Sequence, residues 1–322
     1  MKNVFFLFAI LIMTSCNHES IKSYTFYYWR THLSLNKAEK TALQKATHPY
    51  IYTRFFDIEK VGGKFQPVAV ITKDQTFDTD KEIIPVVFIK NDVFYDITSN
   101  EINFLVENVT SLIKKKQSEF GLKISTQIQI DCDWTAGTSK EYFEFLKRLK
   151  DFSGKELSCT LRLHQVKNSK LSGIPPVSKV FLMCYSTSSP LENSGRNSIL
   201  DLPTLKNYLK NVNLYPLEMD IALPIYSWGI VTNHLGKHKL INALSVVDLK
   251  NVNFRKISET EVEIMKDGFY FGNFLNKGFT LKVEEISSDQ LNQVKKYLNH
   301  KLPGYNIVYY HLDSKFLNQH LY

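Results

Sequence analysis

Two aspartates, Asp131 and Asp133, stand two residues apart at the end of the run Gln127-Ile128-Gln129-Ile130-Asp131-Cys132-Asp133-Trp134. On an extended chain that spacing puts both carboxyls on one face, because side chains alternate across a strand. Carboxyls so close push their pKa values apart and can leave one protonated as a general acid. Glycosidases work with two carboxyl groups, or with one helped by the substrate itself. The sequence supplies further groups suited to sugars: Trp29, Arg54, Asp57, Arg162, His164, Tyr185, Tyr226, Trp228 and Asp313. Rings stack on the apolar faces of sugars, and charged side chains bind their hydroxyls. The expectation is a catalytic pair, Asp131 and Asp133, with the other nine residues holding the ligand. Blander readings stay open: the aspartates paired with Arg162 or Arg54, His164 satisfied in a core, Tyr226 and Trp228 filling space. Neither a metal nor a cofactor is expected. The chain has no His-x-His or His-x-x-Glu-His spacing, no Gly-rich phosphate loop and no Gly-x-Ser-x-Gly elbow.

These residues need strands that end together. Strand-like apolar runs occur at residues 24–30, 50–57, 83–90, 124–134, 157–165, 180–186, 219–228 and 305–313. Helix-like segments lie between them at 37–47, 100–120, 139–152, 202–211 and 288–299. Ser139 with Tyr142, Phe143, Phe145, Leu146 and Leu149 reads as a capped helix with one apolar face. Eight strands alternating with helices predict an α/β fold, a (β/α)8 TIM barrel. An insertion between strands 7 and 8, at about residues 233–285, is too long for one βα loop. It is expected to hold a helix near 239–247 and a few strands, including 279–284.

Strand parity gives the orientation. Ile128, Ile130 and Cys132 alternate with Gln127, Gln129, Asp131 and Asp133; Leu157, Cys159, Leu161 and Leu163 alternate with Ser158, Thr160, Arg162 and His164. In the seventh run Ile221, Leu223 and Ile225 oppose Asp220, Ala222, Pro224, Tyr226 and Trp228. Barrel strands pack their outer face under helices, so the apolar sides point out and the polar sides line the interior. Cys132, Cys159 and Cys184 then fall on the outer side as small packing residues rather than disulfide partners. The most polar residues come late in each strand, and the strand C-termini form the active face of such barrels.

The chain opens with Lys2 and an apolar run from Val4 to Met13, about half of what a membrane-crossing helix needs. With Met13-Thr14-Ser15-Cys16 this reads as a signal peptide over residues 1–15. That tetrapeptide resembles the lipobox of bacterial lipoproteins, which implies acylation of Cys16, a tether over 16–22 and one domain over 23–322. The resemblance places the protein in the cell envelope, held to a membrane, the outer one first, by a lipid anchor. The formal charge is +8, and loss of Lys2 with the leader leaves +7. The cations are scattered over expected helix faces, so nucleic acid is not expected as a partner, and the domain is expected to be a monomer.

The run from Ile128 to Asp133, taken with Met183-Cys184-Tyr185 and the strand order, resembles chitinase-type (family 18) glycoside hydrolases. Their Asp-x-x-Asp-x-Asp-x-Glu motif ends in the catalytic acid. Here its two later aspartates match Asp131 and Asp133, while Ile128 and Thr135 take the first Asp and the Glu positions. The chain is also similar to bacterial lipoproteins with a glycoside-hydrolase-like barrel. That similarity is carried by Gln129–Trp134, Arg162–Lys167, Gly173-Ile174-Pro175-Pro176 and Ala222–Trp228. These resemblances imply a glycan or polysaccharide ligand, and an activity that is either lost or assembled without the usual Glu.

Overall fold

The computed structural model describes residues 20–192 and 195–317. The expected leader and Cys16 lie outside the described residues. Strands β1 (Ile21–Tyr28), β2 (Tyr50–Val61), β3 (Glu82–Ile89), β4 (Gln127–Asp131), β5 (Glu156–Leu161), β6 (Lys179–Met183) and β7 (Glu218–Pro224) come first. An inserted group follows: β8 (Trp228–Thr232), β9 (His238–Asn242), β10 (Phe254–Lys256), β11 (Glu261–Ile264) and β12 (Thr280–Glu284). The last strand is β13 (Tyr305–Tyr310). β1 to β7 pair in parallel in chain order, and β13 fits between β7 and β1. Tyr27 and Tyr28 of β1 pair with Tyr52 and Thr53 of β2 and close the ring. The fold is a (β/α)8 barrel.

Its strands are held from outside by helices that the sequence caps well. In α1 (Lys37–Lys45) Asn36 and Glu39 bond reciprocally, and in α2 (Ser99–Phe120) Thr98 and Glu101 do the same. α2 stops at Gly121, whose φ of +60° suits glycine. α3 (Ser139–Ser153) buries Tyr142, Phe145, Leu146 and Leu149. Its cap position is Thr138, not Ser139, and the Thr138 hydroxyl donates instead to Asn91 Oδ1 at 2.6 Å. Shorter helices follow, among them α4 (Leu163–Lys167) and α5 (Leu202–Tyr208), then α6 (Ser288–Asn299). Among the described residues no helix is long and apolar enough to cross a membrane.

Contacts across the ring identify its interior. Tyr27 on β1 donates its phenol to Gln129 Oε1 on β4 at 2.8 Å, although β2 and β3 separate those strands. Tyr52 on β2 packs on Phe181 of β6, ring centroids 4.9 Å apart. The polar parity therefore does face the lumen. Ile128, Ile130, Cys132, Leu157, Cys159, Leu161 and Cys184 are buried on the other parity, and the three cysteines are free thiols. Burial pushes the thiols of Cys159 and Cys184 well up, so they remain neutral packing groups.

The insertion differs from its sequence reading. β8 to β12 form one antiparallel sheet, so the excursion begins at Trp228 rather than near residue 233. The helix expected near 239–247 is instead β9 followed by a short 3-10 turn, Val246–Leu249. The turn between β8 and β9 explains this: Asn233 Oδ1 accepts from the Leu235 and Lys237 amides, and Gly236 takes a φ of +70°. A hairpin so closed pairs Trp228–Thr232 with His238–Asn242. The sheet has its own core of Val231, Ile241, Val262, Ile264, Leu281 and Val283.

Candidate active site

At the mouth of the ring, where the strand C-termini meet, the first polar group comes from β2. Arg54 and Asp57 are three residues apart and would face opposite sides of a regular strand. An irregularity in the β2–β3 register between Arg54 and Phe56 adds one residue and turns both inward. Arg54 then grips Asp57 with both Nε (2.6 Å to Oδ1) and Nη2, while its guanidinium lies 5.6 Å from the Trp29 ring centroid.

The second group straddles β4 and β5. Arg162 donates through Nε to Asp133 Oδ1 at 2.5 Å and through Nη2 to Oδ2 at 2.6 Å. This fork geometry is the strongest form of an ion pair. β5 stops at Leu161 because Arg162 turns the chain into α4. Gln165 fixes that turn, accepting from the Arg162 amide at 2.7 Å and donating to the Trp134 carbonyl at 2.8 Å. The link ties the end of β5 to the end of β4 and sets Arg162 over Asp133. Burial tends to weaken the charge of Arg162, but Asp133 outweighs it and the guanidinium is held more firmly protonated than usual.

Asp131 lies deeper and is 8% exposed. Thr160 donates its hydroxyl to Oδ1 at 2.6 Å. Burial, and then the nearby charge of Asp133, push the Asp131 carboxyl up to about 6, against weaker opposing effects of Thr160 and Arg162.

Aromatic rings complete the wall. Tyr185 stacks on Tyr310 at 5.4 Å, and Tyr226 stands edge-on to both, 6.0 and 5.8 Å away. Trp29 closes one end, 5.5 Å from Tyr310, and Trp228 the other, 5.2 Å from Tyr226. Trp228 belongs to β8 of the insertion, not to a barrel strand, and donates its indole N–H to Glu284 Oε2 at 3.0 Å. Beneath the far rim, His311 is pushed by burial down to about 4 and is neutral at ordinary pH.

These groups line one open cleft of about 590 Å³, within the range of ~300–1,000 Å³ usual for ligand sites. Asp131, Asp133, Trp29, Arg54, Asp57, Arg162, Tyr185, Tyr226, Trp228 and Asp313 all face it. His164 does not. The run Arg162-Leu163-His164 continues the alternation of β5, but those residues leave the strand for α4. His164 is exposed and off the lining, although near enough to Arg162 that its charge, after burial, holds the imidazole pKa down. Thr135 also lies off the cleft: it is exposed, and its amide donates to Thr138 Oγ1 at 3.0 Å in the turn to α3. Sequence reasoning missed Tyr310, Lys315, Asn242 and Ala243, all in the lining. Tyr310 shares the parity of Asn306, which bonds the inward Asp220, so its alternation could have found it. Asn242 and Ala243 come from the insertion and carried no such signal. Among the described residues no group of three His, Cys, Asp or Glu side chains could hold a metal ion.

A closed parallel ring of eight strands, carrying an antiparallel sheet after its seventh strand, defines a (β/α)8 barrel with an inserted β-sheet. The solved structures similar to it include the spore cortex-lytic enzyme SleL of Bacillus cereus, at 14% identity over 90% of this chain and 70% of that one, TM-score 0.55. A chitinase from Chromobacterium violaceum is similar at 12% identity over 90% of this chain and 96% of that one, also with a TM-score of 0.55. At such identities the likeness is one of fold. No protein-family model and no curated protein matches the chain.

Proposed function

We propose that the chain binds a glycan at the mouth of its barrel and holds it without cleaving it. The observation that carries this reading is the forked Arg162–Asp133 pair, with an exposed Thr135 outside the cleft lining. Both oxygens of Asp133 are taken, and the position of the usual acid offers no proton. The aromatic wall supports stacking against sugar rings, and Arg54, Arg162 and Asp313 supply donors and acceptors for hydroxyls. The test is a glycan array on the purified protein, followed by calorimetry and a reducing-end release assay on each hit. Saturable binding with no new reducing ends is expected.

One observation favours hydrolysis as a second reading. A carboxyl pushed up to about 6, as Asp131 is, can give a proton near neutral pH. Release of reducing ends that disappears in Asp131→Asn would establish that reading over the first.

We further propose that Cys16 is acylated and keeps the cleft at a membrane of the cell envelope. Labelled fatty acid should enter the wild type and not Cys16→Ser, and the variant should leave the membrane fraction.

A further inference from the structure

We infer that the glycan taken by the cleft carries an unsubstituted amino sugar, whose ammonium group sits against Asp131 among the tyrosines. The inference rests on the glycan-binding reading above and names the ligand class of that same site.

The argument starts from charge. The cleft is lined by three permanent cations, Arg54, Arg162 and Lys315, against four carboxyl groups, Asp57, Asp131, Asp133 and Asp313. In a chain of formal charge +8, this is a local reversal of sign. Two of the carboxylates are already neutralised by forked arginines. Asp313 lies on the rim and accepts from the Lys315 amide of its own loop at 2.9 Å. Asp131 is different. It faces the cleft floor, no cation pairs with it among the described residues, and Thr160 bonds only one of its two oxygens.

The cations whose charge reaches Asp131, Arg162 and Arg54, are already paired with Asp133 and Asp57. A buried carboxyl so placed is costly, and a cation from the ligand relieves that cost. A neutral hydroxyl would relieve less of it, because it brings no charge. The surroundings suit a cation as well. Asp131 is close enough to Tyr27, Tyr185 and Tyr310 to help burial hold their phenols up. Of these, Tyr185 and Tyr310 line the cleft, and the electron-rich faces of aromatic rings attract an ammonium group. An amino sugar joins the two features: its ring stacks on the wall while its C2 ammonium reaches the floor.

The test uses three tetrasaccharides with one β-1,4-linked backbone that differ only at C2. Tetraglucosamine carries ammonium, tetra-N-acetylchitotetraose carries acetamide and cellotetraose carries hydroxyl. Binding to the full protein is measured by calorimetry between about pH 6 and about pH 7, where Asp131 is ionised and much of the amine is protonated. The amine should bind at least about tenfold more tightly than the hydroxyl, as a desolvated charge pair allows. Asp131→Asn should abolish that preference, so that the amine binds no more tightly than cellotetraose, and a cooperative thermal melt of the variant shows that it is folded. Acetamide or hydroxyl binding as tight as the amine would overturn the inference. So would binding of other glycans on an array with none of these three. Failure to bind any glycan would instead overturn the parent reading.

Discussion

The two ends of the barrel treat a buried aspartate in opposite ways. At the N-terminal end of the strands, Asp220 on β7 is 1% exposed and fully engaged. Its Oδ1 accepts from the Asn306 amide (2.8 Å) and side chain (3.1 Å), and its Oδ2 from Lys179 Nζ (3.2 Å). At the mouth, Asp131 has one hydroxyl donor and an oxygen turned to the cleft. Polar residues fill the lumen at both ends, so polarity alone does not mark a site. The distinction lies in completeness: one network is closed by protein donors, the other is finished only by something from outside.

Substitutions should separate the two ends. The largest effect is expected for Asp220→Leu, which leaves the Asn306 amide without its acceptor and Lys179 with Glu218 alone, and should cost about 3–4 kcal/mol in urea unfolding. Ligand affinity of the folded fraction should not change; a loss of affinity instead would break the contrast.

Asp131→Asn should act oppositely. The folded carboxyl titrates near 6, above its ordinary value of about 3.9, so the folded state binds the extra proton. Stability of the wild type should therefore fall as pH rises from about 4 to about 6. The variant should lack this slope and so be spared, above that window, the loss of about 3 kcal/mol that the wild type undergoes. Unfolding curves at a series of pH values would show it. Trp228→Ala should weaken glycan binding about tenfold, by loss of a stacking ring, and cost about 1 kcal/mol of stability. His164→Ala, off the cleft, should leave affinity unchanged and stability within about 0.5 kcal/mol.

Much of this contrast is legible in the sequence. Alternation in Gln127–Asp131 and Glu156–Leu161 identifies lumen and outer faces, because a ring packed under helices needs apolar residues outside. It also brings Asp131, Asp133 and Arg162 to one mouth. Where alternation breaks, reading fails. His164 follows the parity of β5, but the strand has ended and Gln165 has begun a helical turn. Arg54 and Asp57 have the wrong spacing to cooperate until an extra residue shifts the register. The helix expected near 239–247 fails for a different reason: Asn233 and Gly236 make a hairpin turn, and pairing with β8 overrides local preference. Which arginine takes which carboxylate depends on tertiary placement, and neither composition nor spacing encodes it.

The insertion contributes one wall of the cleft and carries an apolar core of its own, tied to the barrel through Ser198 and Glu284. Only Ile225, Tyr226 and Ser227 separate the end of β7 from the start of β8, and Trp228 is steadied by Glu284 at the end of the same sheet. Variation in that sheet can thus redraw the contour presented to a ligand while the ring beneath keeps its packing. Selectivity and foldability reside in separate modules, so a lineage could retune what it recognises with little risk to the scaffold.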